Sequence, residues 1–177
     1  MAIQYGFIID SERCVDCRAC VVACKARHNI ELGVAWRRVT TTWKGSYPSV
    51  SFVLQSMACN HCADPACIKV CPANAISKRS EDGIVVVDRT KCIGCRACGD
   101  ACPYGAPQYG KDGHMQKCDL CLDRVTAGKK PACVQTCPAG ALTSGTMDEL
   151  PALAGKKTVR KLEGATGPSV FVPASET

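Results

Sequence analysis

Sixteen of the 177 residues are cysteine, and they fall into four groups of four with none left over. The groups are Cys14, Cys17, Cys20, Cys24; Cys59, Cys62, Cys67, Cys71; Cys92, Cys95, Cys98, Cys102; and Cys118, Cys121, Cys133, Cys137. The first and third read C-x2-C-x2-C-x3-C, with Pro103 after the third; the second and fourth read C-x2-C-x4-C-x3-C-P and C-x2-C-x11-C-x3-C-P. Three thiolates within seven residues, as in the first and third groups, let one short loop wrap a cubane and reach three of its irons, while a distant cysteine closes the cage. Zinc is clasped from two sides by separated C-x2-C pairs, and a third ligand two residues on has no use there. Disulfides disfavour such close neighbours and belong mostly to exported domains. The spacing therefore predicts four 4Fe-4S clusters, with all sixteen cysteines as metal ligands and no catalytic residue.

Composition agrees with a core that side chains alone do not fill. Leu, Ile, Val and Phe together make about a fifth of the chain, the borderline below which a charged sequence does not fold on apolar burial alone. The formal charge of +6 would suggest an anionic partner. Each oxidised cubane with four thiolates carries about −2, however, so four of them bring the loaded chain to about −2 and leave no excess for nucleic acid. Arg18, Lys69, Lys91, Arg96 and Lys117, beside the cysteines, are read accordingly. The longest stretch without Asp, Glu, Lys or Arg, residues 45–63, contains proline, asparagine, glutamine and histidine, so no membrane span is expected. Residues 1–10 lack the basic start of an export leader, so export would need an address carried by another chain.

The chain also repeats itself. Ile8-Ile9-Asp10 before Cys14 matches Val86-Val87-Asp88 before Cys92 at an offset of 78, and Arg18-Ala19-Cys20 equals Arg96-Ala97-Cys98 in that register. The second and fourth groups align at an offset of 66, through Pro65-Ala66-Cys67 with Pro131-Ala132-Cys133 and Cys71-Pro72-Ala73 with Cys137-Pro138-Ala139. Residues 59–103 resemble a complete bacterial two-cluster ferredoxin, with strands at 75–77 and 84–88. In that family the fourth cysteine of each run serves the other cluster. The resemblance implies that Cys59, Cys62, Cys67 and Cys102 hold one cluster and that Cys92, Cys95, Cys98 and Cys71 hold another. Residues 141–143 repeat 75–77, and their missing partner is residues 7–10, so a second ferredoxin-like unit is split around the first. By the same exchange Cys14, Cys17, Cys20 and Cys137 form a set, as do Cys118, Cys121, Cys133 and Cys24. The expected fold is α+β: two nested ferredoxin-like units of βαβ-type pseudo-twofold symmetry and an inserted β-hairpin. The divisions are 1–30 with 106–147 for the outer unit, 31–56 for the hairpin, 57–105 for the inner unit and 148–177 for a C-terminal tail.

Within the insertion, residues 37–43 and 49–56 read as the two strands, joined by Gly45-Ser46-Tyr47-Pro48. Trp36 and Trp43 suit either covering a cluster or docking a partner. Lys25 stands where proline would follow Cys24, so residues 20–27 can continue as a helix. His61 is expected to pack or to hydrogen-bond sulfur, and His28 and His114 are not needed as ligands. Residues 146–162 suggest a short helix broken by Pro151, followed by a polar tail.

The order of the four groups, with Cys59-Asn60-His61-Cys62, Cys92-Ile93-Gly94-Cys95-Arg96, Cys102-Pro103-Tyr104-Gly105-Ala106-Pro107 and His114-Met115-Gln116-Lys117-Cys118-Asp119, resembles the iron-sulfur B subunit of the dimethyl sulfoxide reductase family. These are electron-transfer subunits of molybdopterin oxidoreductases in anaerobic respiration. The resemblance implies a relay between a molybdenum or tungsten bis-pterin catalytic subunit and a membrane quinone-reactive subunit or a soluble acceptor. Localisation is then periplasmic by co-export with a partner, or cytoplasmic, with membrane association only through a partner. It also implies a full cubane at Cys95, where other family members carry Trp and a 3Fe-4S cluster. The alternative function is a free polyferredoxin carrier. Anaerobically purified protein should contain about sixteen irons per chain and no stoichiometric zinc by elemental analysis; two or more zinc ions per chain contradict the assignment.

Overall fold

The run Tyr-Gly-Phe-Ile-Ile is buried along nearly its whole length, as a strand flanked on both edges requires. It forms β1 (Tyr5–Ile9) of a computed structural model that describes residues 3–175. The chain continues through α1 (Ala19–His28), β2 (Arg38–Lys44), β3 (Ser51–Met57), α2 (Ala66–Lys69), β4 (Ile76–Lys78), β5 (Val85–Val87) and α3 (Ala97–Asp100). Then follow β6 (Gln108–Tyr109), β7 (Met115–Gln116), α4 (Leu122–Thr126), α5 (Ala132–Gln135), β8 (Leu142–Thr146), α6 (Leu150–Leu153), β9 (Val159–Lys161) and β10 (Val170–Pro173).

The largest sheet has the order β8-β1-β10-β9. β1 pairs antiparallel with β8, Ile9 opposite Leu142 and Ile8 opposite Thr143, so the first and last thirds of the chain are zipped together. The repeat-related pair is β4 with β5, Ile76 opposite Val87. β2 and β3 form the inserted hairpin, Arg38 opposite Met57, one residue later than the alternation suggests. A short pair, β6 with β7, has too few residues to leave a periodic signal.

The C-terminal segment departs most from expectation. Residues 163–175 are not a tail: β10 lies parallel to β1, Phe7 opposite Val170, with β9 on its other edge. Val170 and Val172 are buried, and Ser169 donates its backbone N–H to the Asn60 carbonyl at 2.9 Å. The polar residues that make this stretch read as solvated are spent on contacts with the cysteine loops. Pro151 does not break a helix either; it sits in the first turn of α6, where its missing N–H is harmless.

The apolar core is divided into three clusters, and each includes cysteine. Phe7, Ile9, Ile84, Leu120, Leu142, Val170 and Val172 surround Cys20 and Cys133. Ala58 and Ala106 pack with Cys59 and Cys118, and Ile76, Val85 and Met115 with Cys98. The β1–β10 contact depends on Gly6, because a Cβ there would sit 2.2 Å from the backbone oxygen of Ser169. Gly6→Ala should cost about 1–3 kcal/mol, read as an earlier denaturant midpoint for loss of cluster absorbance. An unchanged midpoint would contradict the place of β10 in the core.

Candidate metal centres

Each group ends in C-x3-C, and in each case the two cysteines lie on one helical turn. Cys20 and Cys24 are on α1, while Cys67–Cys71, Cys98–Cys102 and Cys133–Cys137 are carried by α2, α3 and α5 and the residue or two after each. Residues four apart share a helix face one turn apart, so a single turn presents two thiols at two separate places. The loops before the helices are bent by left-handed residues that recur with the sequence repeat. Asp16 and Arg18 have φ of 51° and 56°, and their counterparts Gly94 and Arg96 have 70° and 64°. Only Gly94 adopts this without steric cost, so the other three residues hold a conformation that their surroundings must impose.

Three cavities of similar size, about 390, 330 and 320 Å³ with part of that space open to solvent, are each lined by four cysteines. The first is lined by Cys59, Cys62, Cys67 and Cys102. Cys71, Cys92, Cys95 and Cys98 line the second, and Cys14, Cys17, Cys20 and Cys137 the third. In every case three thiols of one group meet the last thiol of another. The remaining four, Cys24, Cys118, Cys121 and Cys133, are all buried. α1, which carries Cys24, packs against α5, which carries Cys133, and Leu120, between Cys118 and Cys121, lies in the apolar cluster that holds Cys133. None of the sixteen thiols is in a disulfide. Asn60, lining the first cavity, is buried and has an amide nitrogen without a partner among the described residues, a donor suited to inorganic sulfide. The residues present therefore fit four cubanes.

Burial pushes the Cys24 thiol up to about 12, with Cys133 adding to it. Burial likewise raises Cys67 to about 12, with Cys59 next, and raises Cys118 well above the ordinary thiol value. Clustered thiols this protonated hold charge only when a metal takes the proton's place. One side chain approaches one sulfur of each set. Ser56 Oγ is 3.3 Å from Cys20 Sγ, His28 Nε2 3.3 Å from Cys121 Sγ, Thr166 Oγ1 3.2 Å from Cys62 Sγ, and the Tyr109 hydroxyl 3.3 Å from Cys98 Sγ. Backbone amides add to these: Ala75 N donates to Cys71 Sγ at 3.4 Å and its repeat mate Ala141 N to Cys137 Sγ at 3.3 Å. Ser56, Thr166 and Tyr109 carry no motif and cannot be found by spacing, since they come from the hairpin, the C-terminal segment and β6.

The histidines separate. His61 makes no hydrogen bond to sulfur; its Nδ1 accepts from Val85 N at 3.1 Å, and burial, then Lys117, Arg37 and Lys78, hold the ring neutral. It occupies the position that Leu120 holds in the fourth group, both fully buried with positive φ. His28 approaches Cys121 and stacks on Trp36 at 4.7 Å. The tryptophans divide as well. Trp36 packs against the Cys59–Cys118 cluster and donates Nε1 to Gln116 at 2.9 Å, whereas Trp43 is 67% exposed, edge-on to exposed Phe52. Arg18, Lys69 and Lys91 make solvent-facing ion pairs with Asp16, Asp64 and Asp88. Lys117 is the exception, 2% exposed, with Nζ donating to the carbonyls of Val85 and Cys118.

This fold and these sites are those of a ferredoxin-type 4Fe-4S protein. Residues 50–147 match the model of the 4Fe-4S dicluster domain, and residues 5–26 that of a 4Fe-4S binding domain. The chain is 52% identical over 159 residues to the B subunit of the anaerobic dimethyl sulfoxide reductase of Escherichia coli, covering 85% of this chain and 77% of that one. It is 38% identical to the B subunit of the sulfite dehydrogenase of Allochromatium vinosum, over 82% of this chain and 70% of the relative. To the formate dehydrogenase iron-sulfur subunit of Wolinella succinogenes it is 36% identical over 89% of each. The chain belongs to the family of iron-sulfur B subunits of the dimethyl sulfoxide reductase type. It is an electron-transfer subunit that carries four 4Fe-4S clusters, not the catalytic subunit.

The Tyr109 hydroxyl lies between Cys98 Sγ at 3.3 Å and the Arg96 carbonyl at 3.2 Å, and Tyr109→Phe removes this dipole from beside the sulfur. It should lower the potential of a single cluster, on the order of tenfold in its reduction constant or about 59 mV, in a redox titration followed by electron paramagnetic resonance. A shift of several clusters together would contradict this local role.

Proposed function

We propose that the three cavity sets and the buried Cys24, Cys118, Cys121 and Cys133 are the four ligand sets, and that they form a linear wire through two nested ferredoxin-like units, with divisions at 1–30 with 106–147, 31–56 and 57–105. The single observation that carries this reading is the exchange of the last cysteine in each cavity. Order along the wire follows from shared walls. Cys20 and Cys133 lie in one apolar cluster, Cys59 and Cys118 in the next, and Cys67 and Cys98 in the third. Each wall thus joins consecutive sets: Cys14/Cys17/Cys20/Cys137, then Cys118/Cys121/Cys133/Cys24, then Cys59/Cys62/Cys67/Cys102, then Cys92/Cys95/Cys98/Cys71.

Only Cys17 and Cys95 among the sixteen are exposed, and they belong to the two ends. Beside them the repeat-related Val15 and Ile93 are 64% and 66% exposed, apolar contact points where electrons would enter and leave. A bound cubane supplies one-electron capacity; the chain fixes spacing, excludes water from the inner sets and sets potential through donors to sulfur. Following the family resemblance, the first set faces a molybdenum or tungsten bis-pterin catalytic subunit. The set of Cys95 faces a membrane quinone-reactive subunit or a soluble acceptor. No helix of the described residues is long and apolar enough to cross a membrane. The exposed aromatic tip of the hairpin, Trp43, Tyr47 and Phe52, supplies further docking surface. Reduction of a sulfoxide or oxidation of formate or sulfite, the reactions named for the relatives, would take place on that catalytic partner.

Two measurements test this. Purification from the native host should yield a large molybdenum- or tungsten-containing chain at equal stoichiometry; a chain that emerges alone and reduces several enzymes is a free polyferredoxin instead. Cys95→Trp leaves one iron without a thiolate, so iron should fall to about fifteen and an all-ferric 3Fe-4S signal should appear. The raised potential traps electrons at the exit, and quinone-linked turnover should fall while dye-linked activity is kept. Equal loss of both activities would remove this set from the distal end.

A further inference from the structure

Arg37 is the largest fully buried side chain among the described residues, 1% exposed. Its Nη1 donates to the Ser56 carbonyl at 2.7 Å and to Ser56 Oγ at 3.2 Å, and its guanidinium lies 4.7 Å from the centre of the Phe7 ring. Nε and Nη2 have no hydrogen-bond partner, and no carboxylate pairs with the residue, among the described residues. Arginine does not shed its charge, and a buried charge left unpaired is strongly unfavourable, so the folded protein must bring negative charge to it. Phe7, beneath the guanidinium, packs in one apolar cluster with Cys20 of the first set and Cys133 of the second, so the groups that do so are sulfurs from two different sets. Burial opposes the charged form, and these sulfurs favour it once a metal has replaced their protons and made them thiolates. The Ser56 hydroxyl, accepting from Arg37, is left free to donate to Cys20 Sγ at 3.3 Å, which carries the cation's influence into the first set.

We propose that Arg37 sets the potentials of the first two clusters of the wire, as a fixed cation shared by the Cys14/Cys17/Cys20/Cys137 and Cys24/Cys118/Cys121/Cys133 sets. A one-electron reduction adds one negative charge at either set and neither breaks a bond nor moves a proton. A buried cation beside both favours the reduced form of each, raising the two potentials together and keeping them close enough for rapid exchange. In the order proposed above the third set stands beyond the second and the fourth beyond the third, so the influence of this charge falls off along the wire. The role is one of positioning potential, because Arg37 acts through the cluster ligands and touches no substrate.

This inference rests on the ligand sets proposed above, and the test separates the two. Full-length chain and its Arg37→Met and Arg37→Lys variants are purified anaerobically, counted for iron and titrated by electron paramagnetic resonance. Arg37→Met should lower two of four midpoint potentials, each by at least about tenfold in the reduction constant, or about 59 mV, with the other two within about twofold. Arg37→Lys keeps the charge and should leave all four close to their starting values. Unmoved potentials in a fully loaded Arg37→Met protein overturn the proposal, as does an equal shift of all four or a lysine variant that follows the methionine one. If Arg37→Met does not load, full loading of Arg37→Lys supports the need for charge, and failure of both overturns it by showing that shape is what matters. Incomplete loading of the unmodified chain would instead undermine the ligand sets.

Discussion

A single helical turn carrying two cysteines, repeated four times, is the constraint from which the architecture follows. In the proposed ligand sets the two thiols of each C-x3-C, one helical turn apart, serve neighbouring clusters, so that each set draws on two stretches of sequence. Cys137 lines one cavity with Cys14, Cys17 and Cys20, where β8 pairs with β1, and Cys102 lines another with Cys59, Cys62 and Cys67. Long-range pairing of this kind makes folding and cluster binding one process, in which the free energy of metal binding is also that of folding. The modest apolar content is consistent with this, since each apolar cluster has cysteine at its centre.

Charge is the second organising constraint. Four buried anionic groups need donors and cations that water cannot supply, and these come from parts of the chain without cysteines. The hairpin contributes Ser56 and the residue before it Arg37; the C-terminal segment contributes Thr166; β6 contributes Tyr109. The insertion and the C-terminus are thus not appendages to a ferredoxin. They complete the surroundings of the sulfurs and cover the sets that would otherwise face solvent, Trp36 over the middle of the wire being the clearest case.

The metal chemistry is legible in the sequence because ligand spacing is local and cubane geometry is exacting. The pairing of residues 7–10 with 141–143 is legible through duplication, the copy at 84–88 with 75–77 showing what the displaced strand should do. Strand edges are less so, and the hairpin begins one residue later than expected because exposed β2 alternates weakly. The C-terminal strand escapes a reading of sequence for a physical reason: Thr166 and Ser169 look solvent-facing there, and only the cysteine loops they meet explain their burial. His61 takes the packing role, one of the two expected of it, at a core position that the repeat fills elsewhere with Leu120.

The account stands on the exchange of the fourth cysteine between sites. Anomalous diffraction at the iron absorption edge, from crystals of anaerobically purified protein, tests it directly. Four multi-iron peaks are expected, each bonded to three sulfurs of one group and the last sulfur of another, with Cys137 on the Cys14 site and Cys24 on the Cys118 site. Single-atom peaks, or clusters closed by all four cysteines of one group, would contradict it.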